Sequence, residues 1–193
     1  MALLILGLIL FIGIHLLPVF SSAGASVKSK LGPAGYKGLF FLVSLAGLIL
    51  VVVGYGNARS DGPLVLYDPP LFLRHVVLLL MLPVFVLFVA SGAPGYIKKI
   101  VKHPQILAIK IWAFSHLLAN GDLPSVILFG SFLAWGVTGR ISMKRRDRER
   151  VGSGNVDGQA KVSADLIAIV VGLAIYALFV WKVHTWLIGV PIV

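Results

Sequence analysis

From Ala2 to Phe20 the chain carries no charged side chain, and from Gly38 to Tyr55 again none. A helix rises about 1.5 Å per residue and the hydrocarbon core of a bilayer is about 30 Å thick, so runs of this length can cross it. Within lipid every backbone N–H and C=O must find its partner inside the protein, so an unbroken apolar run becomes a helix. Composition agrees. Hydrophobic residues make up 59% of the 193 and charged residues 12%, against the roughly 45–50% apolar content of soluble domains. The expected fold is all-α, a polytopic transmembrane helix bundle in a single domain over 1–193, with the lipid bilayer as its solvent.

Four further runs bring the expected number of helices to six. One follows Arg74 and His75 and continues to Gly92, with Pro83 removing a backbone donor and predicting a kink. Residues 104–121 and 123–139 flank the turn-forming Asn120-Gly121-Asp122-Leu123-Pro124 and read as a tight helical hairpin. The last runs from Leu166 to Trp181, with Trp181 and Trp186 as interfacial anchors near His184. The first run lacks a basic start and is too long for a signal-peptide core, so it reads as a retained helix. Between the fifth and sixth helices lies a basic aqueous loop over 140–163, in which Lys144–Arg150 precedes a Gly- and Ser-containing stretch.

The charges then set a topology. Lys28, Lys30 and Lys37, then Lys98, Lys99 and Lys102, then the 140–163 segment fall in odd-numbered loops, while Arg59, Asp61, Asp68 and Asp122 fall in even-numbered ones. The positive-inside rule places the basic loops in the cytoplasm and both termini outside. The net charge of +10 thus follows the membrane surface rather than a phosphate-tracking groove, and no nucleic-acid partner is expected.

Chemistry is narrowed by what is missing. There is no cysteine, so disulfides and thiolate chemistry are excluded. No Walker loop, His-Glu-x-x-His or Gly-x-Ser-x-Gly motif occurs, and the seven acidic residues lie in loops or near helix ends. The five histidines remain. An ionisable group within a span is costly and so a functional candidate. His15 is the clearest: it is either hydrogen-bonded to a neighbouring carbonyl or a cofactor ligand. Trp112, His116 and Asn120 recur every four residues, so on one helix they share a face that lines either a pocket or a helix–helix contact. His103, beside Lys102 and before Pro104, reads as an interface residue. His75 opens the third helix, and its predicted depth matches that of His116 better than His15 does, making it a rival ligand.

Three stretches carry a family resemblance: Gly13-Ile14-His15-Leu16-Leu17-Pro18-Val19, Gly35-Tyr36-Lys37-Gly38-Leu39-Phe40, and His103-Pro104 with Trp112-Ala113 and His116-Leu117-Leu118-Ala119-Asn120-Gly121-Asp122. Over nearly its whole length the sequence resembles NnrU-type integral membrane proteins, a family named for a bacterial association with nitrite and nitric oxide reduction. It is similar in turn to the 15-cis-zeta-carotene isomerases, membrane haem b enzymes that isomerise a polyene. The resemblance implies a bacterial inner-membrane protein linked to denitrification or redox metabolism, haem b as cofactor, and nitric oxide or a polyene as ligand. The two haem ligands fall on His15 and His116, with Trp112 and Asn120 in the pocket. If the chain is an enzyme, the resemblance implies a haem-dependent cis-trans isomerase acting on a polyene by a redox change; the cysteine that serves the plant enzyme as alternative ligand falls on Ala113, so that ligand exchange is missing here. The competing expectation is a cofactor-free membrane scaffold or small-molecule carrier. A weaker similarity, His-Pro before a final hairpin, links the chain to membrane methyltransferases. The basic Lys144–Arg150 segment stands where those enzymes are acidic.

Overall fold

The computed structural model describes residues 1–152 and 159–189. It is all-helical as expected, with no strand among the described residues. The helices are α1 (Ala2–Leu16), α2 (Ser21–Ser60), α3 (Leu73–Ser91), α4 (Tyr96–Val101), α5 (Pro104–Ala119), α6 (Leu123–Gly152) and α7 (Val162–Leu178), the last running through one π-turn (Phe179–Val183) into α8 (His184–Ile188). Four stretches are long and apolar enough to cross a membrane: Ala23–Ser60, Leu73–Ser91, Leu123–Arg148 and Val162–Ile188. Two shorter apolar helices, Ala2–Leu16 and Pro104–Ala119, accompany them. The chain is a membrane protein.

Two expectations change. Residues 21–37 are helical rather than a loop, because nothing breaks the helix before Gly32-Pro33. There Gly32 takes φ 68° and ψ 171° and kinks α2, a conformation open to glycine, while Pro33 disfavours helix in the residue before it. Arg140 to Gly152 continues α6, since Lys and Arg are good helix formers and charge alone does not end a helix. The Ser153–Gly158 part of the expected loop lies outside the described residues. Helix α3 stays helical through Pro83.

The residues gather into two compact units. The first comprises Met1–Asp68 with Asn120–Ser142. Here α1 packs against α2 through glycines: a Cβ on Gly7 would lie 2.5 Å from Val51 N, and one on Gly47 would lie 2.7 Å from Phe11 N. Helix α6 runs alongside α1, with Phe132 against Phe11 at 5.6 Å between ring centroids and Ser142 Oγ donating to Val19 O at 3.4 Å.

The second unit comprises Pro69–Ala119 with Met143–Val193. Its core is Val84, Leu87 and Ala108, with Met81, Ile111 and Trp112 packed against them. Helix α7 lies antiparallel to α3, as Gly172 abuts Val86 and Tyr176 donates its hydroxyl to Leu78 O at 3.0 Å. Asp165 caps α4 from a distance in sequence, accepting the Tyr96 N–H at 2.7 Å and the Ile97 N–H at 3.0 Å. Asp165→Ala removes a charged acceptor from two end-of-helix donors and should destabilise the protein by about 1–2 kcal/mol. Thermal unfolding in detergent reads this, and Asp165→Asn should recover part of the loss.

Candidate functional site: two histidines tied to their own helices

In the first unit, His15 sits in the last turn of α1. Its Nδ1 donates to Phe11 O at 2.7 Å. A carbonyl only accepts, so the proton is on Nδ1 and the lone pair on Nε2. The ring is stacked on Phe11 (4.3 Å between centroids) and met edge-on by Phe40 of α2 (4.9 Å) and Trp135 of α6 (5.7 Å). Three helices therefore build an aromatic cage around one half-buried imidazole.

In the second unit, His116 repeats the arrangement. Its Nδ1 donates to Trp112 O at 2.9 Å, and the Trp112 ring lies 5.3 Å from the imidazole. Ala113 and Ser115 beside it are fully buried. Trp112 and His116 thus share a face of α5 as their spacing predicts, but Asn120 does not join them. Helix α5 ends at Ala119, and the Asn120 carbonyl accepts the Tyr67 hydroxyl at 2.9 Å in the first unit.

Asn120-Gly121-Asp122 is a structural clamp. Gly121 O accepts the Leu66 N–H at 2.8 Å, and Leu123 N donates to Leu64 O at 2.9 Å. Tyr67 packs so close to Gly121 that a Cβ there would collide with it. Asp122 caps α6, accepting the Ser125 N–H at 2.9 Å and its hydroxyl at 2.8 Å, with Arg59 Nε at 3.8 Å. Because Ser125 Oγ donates to Asp122, the Tyr55 hydroxyl donates to Ser125 at 2.9 Å. Asp122→Ala loses the cap and breaks a buried chain of hydrogen bonds, so thermal unfolding should show a loss of about 2–3 kcal/mol. A cavity of about 180 Å³, lined in part by Met1, Asp61 and Leu123, opens at this end of the unit, a helix length from His15.

A family model described as NnrU protein matches residues 3–192, nearly the whole chain. The chain belongs to the NnrU family. No curated protein and no solved structure matches it.

The remaining histidines of this NnrU-family chain separate by environment. His75 is exposed at the start of α3. His103 meets a carboxylate, its Nε2 lying 2.8 Å from Asp147 Oδ2, so the expected interface residue is held by the basic extension of α6. His184 follows the π-turn, 6.4 Å from the Phe179 ring, in the same unit as His116. The sequence placed His184 near the outer end of the last helix, beside the interfacial Trp181 and Trp186. Trp135 was missed altogether and Phe40 entered only as the end of a family stretch, because nothing in an apolar run says which aromatic residue faces a histidine. Among the described residues no group of three or more His, Asp or Glu side chains gathers as a metal site.

Proposed function

We propose that this NnrU-family protein is a multi-pass protein of the bacterial inner membrane that binds haem b, with His15 and His116 as iron ligands and its basic segments in the cytoplasm. The role is in redox or nitric-oxide-linked metabolism, the nitrite and nitric oxide reduction of denitrification. One observation carries the reading: both histidines commit Nδ1–H to the carbonyl one helical turn back, which leaves the lone pair on Nε2. Metal-binding histidines are oriented in this way by a partner on the other ring nitrogen.

The residues present fit the group. Phe11, Phe40 and Trp135 give His15 a flat aromatic surround that limits water, and Trp112 does the same for His116. Haem, when bound, supplies a one-electron couple and an iron able to take a diatomic ligand. Ala113, buried beside His116, carries a methyl group where the plant polyene isomerase has its alternative ligand. That favours redox or nitric oxide chemistry over isomerisation by ligand exchange.

The test is the visible spectrum of detergent-purified protein, oxidised and dithionite-reduced, after expression with ample haem. The expected result is a stoichiometric low-spin haem b spectrum. A featureless spectrum overturns the reading.

A further inference from the structure

At one end of the second unit the short helix α4 sits where two membrane-length stretches meet water. Leu73–Ser91 ends just before it. Val162–Ile188 starts beside it, since Lys161 N donates to Pro94 O at 2.8 Å and Asp165 accepts the Tyr96 and Ile97 N–H groups. These ties hold α4 at the level where the hydrocarbon of a bilayer gives way to headgroups.

The three faces of α4 differ. Ile97 and Val101 pack inward on Val84, Leu87 and Ala108. Tyr96 and Ile100, one turn apart, face outward and are 46% and 78% exposed. Lys98 and Lys99 take the remaining arc and are exposed as well. Apolar side chains on one flank and cations on the other are the pattern of a helix lying in the membrane interface.

Further cations collect beside it. Lys102 follows α4 in a γ-turn of the rare kind, with φ 64° and ψ −51°, closed by His103 N donating to Val101 O at 2.8 Å. A glycine would take that conformation at lower cost, so what Lys102 adds there is its charge. Its N–H bonds to Lys98 O at 2.7 Å, which puts Lys98 and Lys102 one turn apart. The contact of His103 Nε2 with Asp147 Oδ2 draws the basic extension of α6 alongside, and Lys144 is one turn before Asp147 on that helix. Lys98, Lys102 and Lys144 are exposed and form no ion pair among the described residues.

The described carboxylates at this end are already engaged, Asp147 with His103 and Asp165 with the start of α4. No acidic residue occurs between Pro69 and Ala119, and Lys144–Arg150 holds five basic residues against Asp147 and Glu149. The surface therefore lacks an anion. Its level at the end of two membrane-length stretches, with an isoleucine standing open next to the cations, calls for an anion that carries apolar chains.

We propose that Lys98, Lys102 and Lys144, with Tyr96 and Ile100 beside them, form a binding surface for anionic phospholipids, the phosphate lying against the lysines and the acyl chains against Tyr96 and Ile100. Nothing in this surface depends on haem.

Two lipids that differ only in the headgroup decide it. Dioleoyl phosphatidylglycerol and dioleoyl phosphatidylcholine are titrated into the detergent-purified full-length protein, and the lipid retained is counted by native mass spectrometry. A lysine near an anionic surface is worth about fivefold, so the wild type should retain phosphatidylglycerol about tenfold or more over phosphatidylcholine. Half-molar salt should shrink that preference by screening. Lys98→Gln, Lys102→Gln and Lys144→Gln together should bring the two lipids close to parity, with the thermal transition in phosphatidylcholine unchanged. Lys28→Gln, Lys30→Gln and Lys37→Gln together remove the same charge from the first unit and should leave most of the preference.

Equal retention of the two lipids by the wild type overturns the proposal with no variant needed. A preference lost equally in both triple variants also overturns it, because net charge rather than this surface then selects the lipid. Displacement of the lipid by an equal concentration of glycerol phosphate overturns the lipid as ligand in favour of a free phosphate. Binding of polyglutamate in place of phosphatidylglycerol overturns it in favour of an acidic protein segment.

Discussion

His15→Ala and His116→Ala should each abolish the low-spin haem b spectrum of the purified protein, while His75→Ala leaves it intact. The two substitutions remove the same thing, an Nε2 lone pair whose direction is fixed by an Nδ1–H bond to Phe11 O or Trp112 O. Loss of a residue that merely orients a metal ligand costs about 10–100-fold in affinity, and loss of the ligand itself costs more. Haem should therefore be lost on purification or remain as a minor high-spin fraction. Free imidazole added to either variant should restore part of the spectrum, since the rest of the cage is unchanged. His75 is exposed at a helix start and touches neither arrangement, which makes it the control. His184 is the informative fourth variant because it belongs to the same unit as His116. A spectrum lost in His116→Ala and His184→Ala but kept in His15→Ala would move the second ligand to His184.

The fold class was legible because hydropathy reports directly on solvent. Uncharged runs such as Ala2–Phe20 and Gly38–Tyr55 admit a helix in lipid and little else. Helix ends were not legible in the same way. Hydropathy marks where lipid demands apolar side chains, whereas a helix persists until its backbone is interrupted, so α2 runs on to Ser60 and α6 carries the basic cluster past Arg140. The two histidines could be found because an ionisable group in an apolar run stands out. Their Nδ1 partners follow from helical spacing alone, one turn back at Phe11 and Trp112. The cage around His15 could not be read, since its walls come from three helices far apart in sequence. Asn120 shows the opposite failure. A spacing of four places it with His116 only while the helix lasts, and Gly121-Asp122 ends the helix first, turning the amide's own backbone toward Tyr67.

Gly54→Leu should unfold the first unit or separate α1 from α2. A Cβ at Gly54 would sit 2.7 Å from Leu3 C and Leu4 Cα, and it meets Leu4 N more closely still. These are backbone atoms, so no rotamer change relieves the contact and the helices themselves must move apart. Gly7 and Gly47 make the same close approach at their own levels of the crossing, on Val51 and Phe11, so the displacement cannot be confined to one turn. Overpacking a well-packed core costs about 1–3 kcal/mol even where side chains can shift, and a clash of backbone on backbone exceeds that range. The expected result is a large drop in the thermal transition, with poor recovery from the membrane. Gly56→Leu, two residues along the same helix, is the matched comparison, because a Cβ there meets nothing within 4 Å. In lipid, helices gain nothing from hiding apolar surface from one another, and small residues that let backbones pack are what hold them together. If Gly54→Leu melts like Gly56→Leu, the α1–α2 crossing is not held by close packing. If it melts far lower, His15 and its cage depend on a glycine more than thirty residues away, because the α1–α2 spacing that Gly54 permits also sets how closely Phe40 approaches the imidazole.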